Sequence, residues 1–142
     1  MNNTFDLLRF VEAHKQSYET ALDEIKCGHK YSHWMWYIFP QIQGLGKSST
    51  SQYYAIKNSA EALAFLNDAY LGGHLIEISK ALMHLDSDNP TEIFGKPDDM
   101  KLRSCMTLFA SVSDDNSIFH QVINKYFDEK PDKRTLAILQ LK

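Results

Sequence analysis

SHWMWYIFPQIQGLGKSS, running from Ser32 to Ser49, is the stretch whose reading decides the fold. Its first half, Ser32 to Phe39, is apolar at nearly every position and fits a short buried helix or a strand. Aromatic residues and Ile favour strands. Against that, Ser32 can cap a helix, Pro40 can end one, and no alternating segment elsewhere supplies a partner strand. The helical reading follows, and with it an all-α chain.

The flanking sequence agrees. Phe5, Leu8, Val11, Tyr18, Leu22 and Ile25 recur at helical spacing, which predicts a long amphipathic helix over Phe5 to Lys26. Asn3 with Asp6 resembles a capping pair, and Gly28 stands where a helix stop belongs. Beyond the loop, Ser48 to Ser51 offer N-caps for a helix through Tyr53, Tyr54 and Ile56. Asn58 with Glu61 reads as the capping box of a helix carrying Leu63, Phe65 and Leu66.

Gly72 and Gly73 read as a break before the helical pattern of Leu75, Ile76, Ile78, Leu82 and Leu85. Asn89-Pro90 starts a short element that stops at Gly95. Asp98 can cap Met100 to Val112, and Ile118, Val122, Tyr126 and Phe127 continue in helical register. A last helix near Asp132 holds Leu136, Leu139 and Leu141. The sum is seven or eight short helices in one compact domain over residues 1–142.

At 142 residues, such a chain buries roughly 70% of its unfolded surface, enough for a core without disulfides or a structural metal. A net charge of −3 argues against a broad nucleic-acid-binding face. Two cysteines make no disulfide framework, and the N-terminus lacks the charge and apolar pattern of a signal peptide. The longest apolar run, Trp34 to Phe39, is far short of a membrane span. These features predict a cytoplasmic protein with no membrane association.

Gly46-Lys47-Ser48 invites a phosphate-loop reading, but Gln41 stands where that motif needs its first glycine. A weaker anion site is still readable. Gly44 and Gly46 allow close backbone approach, and Lys47, Ser48, Ser49 and Thr50 supply donors at a helix start. Cys27, His29 and His33 have loose metal-ligand spacing, yet Gly28 and Ser32 interrupt the helix that would align them, so no metal or cofactor is expected. Burial beside Trp34 and Trp36 would lower the pKa of His33 and suit it to acid–base work. Lys101 or Arg103, from the later helix, could complete an anion site.

GHKYSHWMWYIFPQIQGLGKSSTSQYYAI resembles the signature of a bacterial domain-of-unknown-function family, DUF1810, some members of which carry the label calpastatin. EALAFL, IFGKPDDMKLRSCMTLFA and PDKRTLAIL resemble further family blocks in the same order. His29, His74 and Cys105 depart from that pattern, the first two standing where Arg is usual and the third where Ser is. The resemblance implies a mostly helical single domain and no established activity.

The expected site therefore comprises His33, Trp34, Trp36, Gln41, Gly44, Gly46, Lys47, Ser48, Ser49, Lys101 and Arg103. It would take a small anionic ligand such as a nucleotide or an ADP-ribose-like compound. If it is catalytic, hydrolysis or transfer at a glycosidic or phosphate linkage is the class, with His33 as acid or base. The alternative is a non-catalytic module that meets a protein partner.

Overall fold

The computed structural model describes residues 5–141, which contain nine helices. These are α1 (Leu8–Lys26), α2 (Met35–Ile38), α3 (Ser49–Tyr54), α4 (Ser59–Asn67), α5 (Ala69–Met83), α6 (Pro90–Phe94), α7 (Asp98–Ala110), α8 (Ile118–Phe127) and α9 (Lys133–Leu141). The expected all-α class holds. No helix among these residues is long and apolar enough to cross a membrane.

Helix α7 is the axis of the core. Leu102 and every residue from Ser104 to Ala110 are buried, because α4, α6, α8 and α9 all pack on it. Helix α5 bridges α1, α4 and α8, while α2 packs against both α1 and α3.

Helix α1 starts later than Phe5, and the Asn3 half of the expected cap lies outside the described residues. Its end is as expected. Gly28 takes φ +82°, His29 N–H donates to Glu24 O at 3.1 Å, and Gly28 N–H donates to Ile25 O at 2.8 Å. That pair of bonds is a Schellman stop, which needs a residue comfortable at positive φ. The buried face differs from the expected one. Leu8 is 62% exposed, whereas Phe10, Ala21 and two polar residues, Arg9 and His14, face the core.

The block from Ser32 to Phe39 is helical only over the four residues of α2, and Ser32 does not cap it. Its hydroxyl instead donates to Glu24 Oε2 at 2.6 Å. After Pro40 the chain loops out and returns, and Ile42 forms a single parallel bridge with buried Ile56. Asn58 caps α4 as expected. Helix α6 runs from Pro90 to its stop at Gly95 (φ +73°), and Asp132 caps α9, whose Leu141 side chain lies outside the described residues. Asp98 does not cap α7; it pairs with Lys30 and Lys101.

Gly72 and Gly73 do not break the chain; both lie inside α5, which begins at the Asp68 cap. The reason is contact across the α4–α5 elbow. A Cβ on Gly72 would stand 1.9 Å from the Leu66 carbonyl oxygen, so only glycine fits there. Gly72→Ala should cost about 1–3 kcal/mol through forced backbone movement, read from urea unfolding midpoints. Gly73 has open space and should accept alanine without loss.

Candidate functional site

The signature block is organised around one carboxylate. Glu24, in the last turn of α1, accepts from Tyr31 N–H (2.8 Å), Ser32 N–H (3.0 Å), Ser32 Oγ (2.6 Å) and Trp34 Nε1 (2.9 Å). Burial pushes its pKa up, but these four donors outweigh that and hold the carboxyl down at about 2. Trp34 is consequently core. It is 1% exposed and packs edge-on against Phe94. It is not a stacking platform for a ligand.

The other expected site residues scatter. His33 is exposed rather than half-buried against the indoles. Arg103 donates through Nε to Lys130 O at 2.8 Å and lies over Phe127, away from the loop. Lys101 does approach, with Nζ 5.4 Å from the Trp36 ring, but it shares Asp98 with Lys30. Gly44 (φ +108°), Lys47, Ser48 and Ser49 are exposed. Ser48 caps α3, which at six residues is a weak anion cradle. Trp36, Gln41 and Gly46 do line one hollow, but its volume of about 10 Å³ admits on the order of one water. Glycine at position 46 is explained by packing, since a Cβ there would meet Ser51 Cβ at 2.5 Å.

Two other places have the features of a site. The first is a furrow of about 730 Å³ between α4, α5 and the start of α8. Leu63, Leu66, Ile76, Met83, Ile118 and Phe119 form its apolar lining, and Lys80, His84 and Asp114 stand among them. Ile76, Lys80 and His84 also line a second hollow of about 460 Å³ that runs to Lys26 and Glu77. His84 Nδ1 donates to the Lys80 carbonyl at 2.9 Å, which leaves Nε2 as its free nitrogen. Lys80 has no ion-pair partner among the described residues.

The second is a pair of imidazoles between α1 and α5. His14 Nδ1 and His74 Nδ1 are 2.9 Å apart, and His14 Nε2 lies 2.8 Å from the Tyr37 carbonyl. The planes of the two rings are nearly parallel, and the Tyr18 ring stacks on His74 at 3.6 Å. Tyr18 Oη donates to Glu77 Oε1 at 2.5 Å. Burial, aided by nearby His74 and opposed by the Tyr37 hydrogen bond, holds His14 down at about 4. Burial also lowers His74, against the opposing charge of Glu77. Burial and the bond to Glu77 raise the Tyr18 phenol. The sequence reading missed this pair. Its one available signal was a histidine on the same helix face as Phe10, Tyr18 and Ala21.

The model of the family described as "Protein of unknown function (DUF1810)" matches residues 4–139. The chain belongs to that family. A crystal structure of a conserved hypothetical protein from Mycobacterium tuberculosis is 41% identical. It aligns over 97% of this chain and 99% of its own, with a TM-score of 0.94. The helical arrangement is therefore shared with another solved protein. None of the curated proteins matches the chain.

Proposed function

We propose that this protein binds a small anionic molecule with an apolar body, along the α4–α5–α8 furrow rather than at the glycine loop. Support comes chiefly from one observation: an apolar trough of about 730 Å³, within the range of small-molecule sites, with a lysine on its wall that has no ion-pair partner among the described residues. The apolar part of the ligand would cover Leu63, Ile76 and Met83, and its acidic group would reach Lys80, with His84 Nε2 beside it. A nucleotide is a poorer match. Phe119 is the trough's single Phe, Tyr or Trp, and it is 2% exposed, so none of those rings offers a face to stack a base.

Thermal unfolding tests the reading. Titration with 4-phenylbutanoate should raise the midpoint in step with ligand concentration, a stabilisation of roughly 2.7 kcal/mol at a hundredfold excess over Kd. Lys80→Ala should weaken the effect several-fold, Ile76→Glu should remove it, and AMP or ADP-ribose should do less. No shift with any aryl or alkyl carboxylate, or the same shift in both variants, would refute it.

A further inference from the structure

The two imidazoles between α1 and α5 have their protons fixed by their neighbours. The Tyr37 carbonyl can only accept, so His14 Nε2 carries a hydrogen. Neutral His14 then presents a lone pair at Nδ1, and His74 Nδ1 must donate to it across 2.9 Å. In neutral His74 the remaining nitrogen, Nε2, is therefore a bare lone pair. It makes no hydrogen bond among the described residues, and no partnerless side-chain nitrogen or oxygen among them is sealed from solvent, so Nε2 is accessible.

A proton enters the pair at His74 Nε2. Adding it there breaks no contact, because Nδ1–H still donates to His14. His14 Nδ1 can gain a proton only across the 2.9 Å bond, by transfer from His74 Nδ1. The groups around the pair act on both rings. Glu77 favours charge on His74, with Tyr70 flanking it from α5 and Tyr18 stacked on it from α1, while the Tyr37 carbonyl from α2 and Asp68 at the head of α5 favour charge on His14. The stacked phenol adds a cation–π contact to the protonated ring.

We propose that this edge of the α1–α5 interface is an acid–base site in which His74 Nε2 takes the proton from a water or substrate hydroxyl, with His14 as the positioning residue. A base held by a second group that fixes its tautomer is the recurrent arrangement for activating an oxygen nucleophile. The substrate class is a small molecule cleaved by oxygen attack, an ester being the simplest. The water oxygen bonds to the acyl carbon, its proton goes to Nε2, and the leaving oxygen departs with the electron pair of the broken C–O bond. Occupancy of the α4–α5–α8 furrow is not required.

Long-range ¹H–¹⁵N correlation on labelled wild-type protein decides the geometry without any variant. His74 should be in the Nδ1–H form at neutral pH, the reverse of what a free imidazole prefers. His14→Phe should return His74 to the Nε2–H form, a change that loss of packing alone does not produce. The chemistry is read with 4-nitrophenyl acetate. Its protein-dependent hydrolysis should rise with pH through a midpoint below the ordinary imidazole value of about 6.5 and fall at least several-fold in His74→Gln. An Nε2–H tautomer for His74 in the wild type overturns the proposal. So does a protein-dependent rate that is absent, or that His74→Gln leaves unchanged.

Discussion

Glu61→Ala is expected to cost about 3–5 kcal/mol of folding stability, because it leaves a buried guanidinium without its counter-charge. Arg9 and Glu61 are 8% and 0% exposed, and Arg9 Nη1 meets Glu61 Oε2 at 3.0 Å. The rest of the arginine fork ties α1 to the segment after α3. Nε donates to Tyr53 O and Nη2 to Ala55 O, each at 2.8 Å, and Nη1 also meets the Asp6 carbonyl. The other carboxylate oxygen accepts from Lys57 N–H at 2.7 Å. Arg9→Met should therefore be at least as damaging as Glu61→Ala, since it strands a carboxylate and the carbonyls of Asp6, Tyr53 and Ala55 together. A double Arg9→Met, Glu61→Leu variant should recover part of the loss by removing both charges, while the Tyr53 and Ala55 carbonyls stay unpaired. Urea unfolding of the three variants checks the order, and a Glu61→Ala loss below about 1 kcal/mol contradicts the buried-pair account.

Glu24→Ala is expected to cost about 3 kcal/mol, because a single carboxylate satisfies the donors of the whole turn before α2. Trp34 Nε1 has no other partner among the described residues, and the indole sits in the core. The sign of the pH effect follows from the folded carboxyl standing at about 2, below its ordinary 4.5. The folded state holds fewer protons in that window, so the stabilisation is complete above about 4.5 and drains away as pH falls toward 2. Wild-type stability should drop across that window more steeply than that of Glu24→Ala. Parallel pH profiles for the two proteins would count against this role.

What was legible in the sequence was local. Asn58 before α4, Asn89-Pro90 before α6, Asp132 before α9 and Gly28 after α1 each act within a few residues, so their types announce the element ends. The misreadings that moved the site were long-range. Gly72 looks like a breaker until the Leu66 carbonyl is seen against it, and Ser32 looks like a cap until Glu24 takes its hydroxyl. The residues of the expected site are dispersed for the same reason. A tryptophan beside a glycine loop suggests a ligand wall, but Trp34 turns inward to Glu24 and Arg103 turns away to Lys130. Lys101 and Arg103 are two positions apart on α7, which places them on opposite sides of a helix. His14 and His74 are 60 residues apart, and nothing in either local context names the other.

Where a ligand binds is tested most directly by titrating 4-phenylbutanoate into isotope-labelled protein and following methyl and amide shifts. Perturbations concentrated on Ile76, Met83 and Ile118, with the amides of Gly44 to Ser49 and the Trp36 indole unmoved, are the expected result. Perturbations confined to that loop and indole, with the furrow methyls still, would contradict it.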